Sequence, residues 1–118
     1  MAQDYLEPFE EMSEKNREYI RALSSLREEI EAVDWYTQRV AVSTDEELKK
    51  IMYHNAMEEI EHAVMTLEWL RRNMDGWDEE MRTYLFTEAS IVEVEEMAEG
   101  GDSDSGEESS GDLGIREL

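Results

Sequence analysis

With 118 residues the chain is large enough for one small domain and no more. It has no cysteine, which excludes disulfides, zinc–thiolate sites, iron–sulfur clusters and thiol catalysis. Its 32 acidic against 11 basic residues, a formal net charge of −21, make nucleic-acid backbones and anionic lipid poor partners and cations natural ones.

A single proline, Pro8, and glycines confined to Gly76 and the C-terminal stretch leave long uninterrupted segments, which favours helix. No apolar run approaches the ~20 residues of a membrane span, and MAQDYLEPFEEM lacks the basic and apolar parts of a signal peptide. A cytoplasmic protein is the expectation.

In chain order, a first helix is expected from Glu7–Pro8, where proline suits the first turn, to Val42. Leu23, Leu26, Ile30, Val33 and Val40 alternate at three and four residues, with Thr37 in the remaining slot. Ser43-Thr44-Asp45-Glu46-Glu47 reads as a hydroxyl cap followed by carboxylates in the first turn, so a second helix is expected from Thr44 to Asn73. Asn73-Met74-Asp75-Gly76 supplies turn residues. A third, shorter helix is expected from Asp78 to Ala98, with the strand-like run Tyr84-Leu85-Phe86-Thr87 read as helix or helix end. Residues 1–98 form the helical domain of this reading.

From Glu93 onward there are 10 acidic residues and one arginine. Residues 99–112, rich in glycine, serine and acid, read as a flexible linker. Apolar residues return in Leu113-Gly114-Ile115-Arg116-Glu117-Leu118, the pattern of a tethered docking peptide.

Two long helices joined by a short turn make an antiparallel hairpin, which cannot bury both its apolar stripes alone. Two such hairpins complete a four-helix bundle, so the all-α chain is expected to be at least a dimer.

The second helix carries the most informative irregularity. Leu48, Ile51, Met52, Asn55, Glu59, His62, Ala63, Thr66, Trp69 and Leu70 share one stripe roughly 120° wide at 100° per residue. Glu59 and His62 stand at its centre, where each would cost several kcal/mol to desolvate without a partner. A metal ion compensates both, because Glu-x-x-His directs an oxygen and a nitrogen at one spot. The first helix has a matching anomaly in Glu29, on the shoulder of the seam that holds Leu26, Val33 and Tyr36. Glu28 and Glu31 lie on a neighbouring stripe with Trp35.

Di-iron carboxylate bundles are built from two single glutamates and two Glu-x-x-His pairs. This chain supplies half of that set, and a twofold axis would supply the rest at a dimer interface. Oxygen and nitrogen ligands without sulfur suit iron, manganese or zinc. Glu29, Glu59 and His62 are therefore the expected ligands, with Glu28 and Glu31 as an acidic approach that stages hydrated cations. The alternative is a non-catalytic bundle in which zinc or manganese is structural or buffered.

The segments Glu28 to Tyr36 (EEIEAVDWY), His54-Asn55, Glu58 to Ala63 (EEIEHA), Met65 to Arg72 (MTLEWLRR) and Arg82 to Glu88 resemble the encapsulated ferritins over residues 10–92. The resemblance implies a ferritin-like two-helix hairpin with a short third helix, assembling through paired protomers into a ring-shaped decamer. It implies a ferroxidase that oxidises Fe(II) to Fe(III) with oxygen at an inter-subunit di-iron centre. The matching positions are Glu29, Glu59 and His62 for iron and Glu28 and Glu31 for its approach, where calcium or another divalent cation is an alternative occupant. Trp35 and Tyr36 match aromatic residues beside the centre. Such rings are packaged in encapsulin shells, which store the mineral inside the cytoplasm. Leu113, Gly114, Ile115, Arg116 and Leu118 are similar to the peptide that docks on the shell, from which Glu117 departs.

Overall fold

A computed structural model describes residues 5–101, with side chains to Gly100. Four α-helices, α1 (Glu14–Val42), α2 (Glu46–Asn73), α3 (Trp77–Tyr84) and α4 (Ile91–Gly101), follow a single 3₁₀ turn at Phe9–Glu11. The described residues contain no strand, and none of their helices is long and apolar enough to cross a membrane. They divide into two compact units after Leu70.

The first helix begins later than the proline suggests. Pro8 instead precedes the 3₁₀ turn, Met12 is extended (ψ 141°), and Ser13 caps α1 by accepting a hydrogen bond from the Asn16 amide at 3.1 Å. A serine N-cap contributes about 1 kcal/mol. The preceding turn is tied back by Arg17, which donates to the Phe9 carbonyl at 2.9 Å and lays its guanidinium 4.0 Å from the Phe9 ring centroid.

α1 ends at Ser43, whose backbone is extended. The cap of α2 is a carboxylate rather than a hydroxyl: Asp45 Oδ1 accepts from the Leu48 amide at 2.9 Å, so the helix starts at Glu46 and not at Thr44. An acidic cap also complements the positive end of the helix dipole. The three-residue turn folds α1 and α2 into the expected hairpin. Tyr19 and Trp69, each 25 residues from Thr44, meet edge to face with centroids 6.5 Å apart, which fixes the register. Both helices rise by ~1.5 Å per residue, so positions equally distant from Thr44 lie level with each other.

Within this hairpin only Tyr19, Ala56 and Leu70 are buried. Met52, Ala63 and Leu67 are half-buried beside Ala56 and Leu70, whereas Leu48 and Ile51 remain open. A second apolar stripe, Tyr53, Met57, Ile60 and Val64, repeats at four, three and four residues and is exposed throughout. One hairpin therefore leaves apolar residues open on both flanks of its buried line, where the sequence reading gave α2 a single stripe.

The second unit is where the sequence reading needs correction. The expected helix from Asp78 to Ala98 is two helices, α3 and α4, separated by residues 85–90. Leu85 is extended and Phe86 adopts the left-handed region (φ 63°), a conformation that ends a helix and costs a bulky residue on the order of 1–3 kcal/mol. The Thr87 hydroxyl donates to the Tyr84 carbonyl at 2.7 Å and takes up one of the freed acceptors. At the other end of α3, Gly76 supplies the positive φ (101°) that turns the chain out of α2. Asp78 holds this corner: Arg82 Nε donates to both of its oxygens at 2.9 Å, and Arg71 bonds it from the last turn of α2. These guanidinium bonds, Arg82 first and then Arg71, hold the Asp78 carboxyl below its ordinary titration range.

α4 continues through Gly101, into the segment read as linker. Residues 102–112 and the segment 113–118 expected as a docking peptide lie outside the described residues.

Candidate metal centre

The hairpin register sets the level of each expected ligand. Glu29 and Glu59 each stand fifteen residues from Thr44, so they occupy one level of the antiparallel pair. His62 follows one helical turn along α2.

On α2, His62 Nδ1 lies 3.6 Å from Glu59 Oε1. The Glu59 side chain is 28% exposed and that of His62 is 47% exposed, so the pair sits half-open on the hairpin rather than sealed in its core. A cation can therefore reach the pair, and a second surface can close over it. His62 Nε2 points instead towards Glu58, 3.9 Å from its Oε1. His54, one turn back, is exposed and places its Nε2 3.6 Å from Glu58 Oε2.

On α1, Glu29 is half-buried, and its Oε1 is shielded from solvent without a hydrogen-bond partner. Leaving a desolvated carboxylate oxygen unpaired costs about 1–3 kcal/mol or more. That oxygen can thus accept a donor or a cation that the described residues do not supply. The structure distinguishes it from its neighbours: Glu28 and Glu31 are exposed, and share a strip with half-exposed Trp35 at spacings of three and four. Tyr36 is half-buried, with the Arg39 guanidinium 5.4 Å from its ring centroid.

Among the described residues no three His, Asp or Glu side chains of one chain gather as a metal-holding group. In one copy Glu29 on α1 and the Glu59–His62 pair on α2 lie at one level without gathering into such a group, and Leu113 to Leu118, read from the sequence as a docking peptide, fall outside the described residues. Glu58 was the residue that sequence reasoning passed over. Its signal was present in the i, i+4, i+8 spacing of His54, Glu58 and His62, which puts the three on successive turns of one helix.

The EncFtn-like family profile matches residues 4–88. A ferritin-like protein of Thermotoga maritima is 58% identical over the full length of both chains. An encapsulated ferritin-like protein of Rhodospirillum rubrum is 51% identical, covering 95% of this chain and 85% of its own. The crystal structure of a protein from Nitrosomonas europaea, 51% identical, superposes with a TM-score of 0.75, covering 76% of this chain and 99% of that one. With its two-helix hairpin and a profile match over most of its length, this chain belongs to the EncFtn-like family.

Proposed function

We propose that this protein is a ferroxidase, oxidising Fe(II) to Fe(III) with dioxygen at a centre shared by two copies of the chain. The observation that carries the proposal is the shielded, unpartnered Oε1 of Glu29 at the level of the Glu59–His62 pair. A carboxylate oxygen withheld from water and from every donor is poised for a cation. Three ligands per copy provide six from a pair, matching the inventory of two single glutamates and two Glu-x-x-His motifs that holds two irons between four helices.

Iron is here the substrate. Glu29 and Glu59 supply hard oxygen donors suited to both oxidation states, and either can span two cations. The His62 of each copy contributes one nitrogen to one of the two cations. Each Fe(II) gives up one electron and dioxygen accepts the pair; the protein's part is to hold two cations at one place and to neutralise their charge. Exposed Glu28 and Glu31, on the strip beside Trp35, form the acidic approach at which hydrated cations collect.

Pairing of copies over the centre is supported by Leu48 and Ile51, which the hairpin leaves open on the flank of Glu59 and His62. Met57, Ile60 and Val64, open on the opposite flank, support further assembly. In this reading the pairs assemble further into a ring, taken as a decamer. The encapsulated relative supports a place inside an encapsulin shell, reached through residues 113–118, where the oxidised iron is stored.

The deciding experiment is anaerobic loading with Fe(II) followed by exposure to oxygen. A ferroxidase turns over many irons per site, whereas a structural or buffering zinc or manganese site stops at its stoichiometry. Oxidation no faster than in protein-free buffer overturns the proposal.

A further inference from the structure

The imidazole of His62 stands between two carboxylates. Its Nδ1 is 3.6 Å from Glu59 Oε1 and its Nε2 is 3.9 Å from Glu58 Oε1. A neutral imidazole carries one proton, and only its bare nitrogen can bind a cation; which nitrogen is bare depends on the acceptor that the other one finds. Neither separation is yet a hydrogen bond, so which of Glu58 and Glu59 closes on the single N–H decides the tautomer. If Glu59 takes it, Nδ1 is blocked and the oxygen of the candidate ligand pair is occupied as well. If Glu58 takes it, Nδ1 and Glu59 are both free to face the same cation.

We infer that Glu58 is the positioning residue that keeps the proton of His62 on Nε2 and leaves Nδ1 bare beside Glu59. The inference rests on the reading of Glu59 and His62 as iron ligands. Glu58 is half-exposed, so ordinary rotamer adjustment can bring its oxygen from 3.9 Å to hydrogen-bond distance of the N–H. Its second oxygen lies 3.6 Å from Nε2 of His54. His54, Glu58 and His62 thus form a line along one side of α2. Such partners of a ligating histidine fix its ring and its tautomer.

The test reads the proton directly. In the full-length, metal-free protein labelled with ¹⁵N-histidine, long-range ¹H–¹⁵N correlation spectra at a pH where the rings are neutral report each tautomer. The His54→Gln variant assigns the two sets of signals. In the parent protein His62 is expected as the Nε2–H form. Glu58→Leu leaves Glu59 unopposed and shifts the majority to Nδ1–H; Glu58→Gln retains a carbonyl acceptor and keeps the parent tautomer. Cobalt(II) titration should show affinity falling roughly 10- to 100-fold in Glu58→Leu and recovering most of that loss in Glu58→Gln. A parent in the Nδ1–H form, or tautomer populations unchanged in Glu58→Leu, overturns the inference. The spectra require no iron, so the expected tautomers without iron oxidation refute the ferroxidase reading alone. Oxidation with a tautomer indifferent to residue 58 refutes only the positioning role.

Discussion

Nδ1 of His62 faces Oε1 of Glu59 across 3.6 Å, one turn apart on the flank of α2 that the hairpin leaves half-open. The separation is too long for a hydrogen bond, and a cation placed between the two would reach both.

Replacement of either partner should remove rapid iron oxidation while sparing the hairpin. Glu59→Ala and His62→Ala are expected to reduce oxygen-dependent Fe(III) formation to the rate in protein-free buffer, followed by absorbance. Their helix content by far-ultraviolet circular dichroism should match the parent. Parental rates in either variant would show that these are not the ligands.

Glu29 offers a sharper case, because its shielded oxygen costs stability in the absence of metal. Glu29→Leu should raise the stability of the metal-free protein by about 1 kcal/mol and abolish oxidation at the same time. A stability loss in urea titrations would mean that Glu29 has a protein partner instead.

The exposed acids should act on delivery rather than on chemistry. The Glu28→Gln/Glu31→Gln double variant is expected to oxidise the same amount of iron with a lower initial rate. The deficit should grow at low iron concentration and shrink at high salt, where charge attraction is screened. Kinetics identical to the parent at every iron concentration would rule out an approach role.

On the opposite flank, the stripe Tyr53, Met57, Ile60 and Val64 tests the further assembly of pairs. Ile60→Lys puts a charge into any interface built on this stripe and should shift the protein towards smaller species in native mass spectrometry. An unchanged assembly would leave the stripe as plain solvent-facing surface.

Acid should loosen the corner between α2 and α3. Arg82 and Arg71 hold the Asp78 carboxyl below its ordinary value, 3.8, so its contribution is complete above about pH 4 and is lost as pH falls through the lowered value. Amide exchange in α3 should accelerate over that range, and Asp78→Asn should abolish the acceleration. The same acid profile in the variant would assign the effect to another group.

The hairpin was readable because three independent signals agreed on it: the three–four alternation, the caps near residues 43–47 and the turn at Asn73–Gly76. Glu29 could be separated from Glu28 because one residue is 100° of helix, enough to move a side chain from the seam to the open face. The break between α3 and α4 was hidden, since residues 85–90 contain neither glycine nor proline and the left-handed residue is Phe86, an identity that gives no warning of it. The start of α1 was misplaced for a related reason. Proline announces a first turn but does not say whether that turn continues, and Ser13 decided the matter. The Tyr53–Val64 stripe was present in the spacing but masked by methionine, which reads as filler. The tie between Glu58 and His62 needed side-chain geometry, because in so acidic a helix an i, i+4 carboxylate is commonplace.

A site split between partners would also make quaternary state the switch for chemistry. With Glu29 on α1 and the Glu59–His62 pair on α2 supplying half of the proposed ligands, a newly made chain would be inert towards iron until it met another. Specific activity should then decline on dilution below the dissociation constant of the pair, and solitary subunits would generate no oxidised iron where there is nothing to contain it.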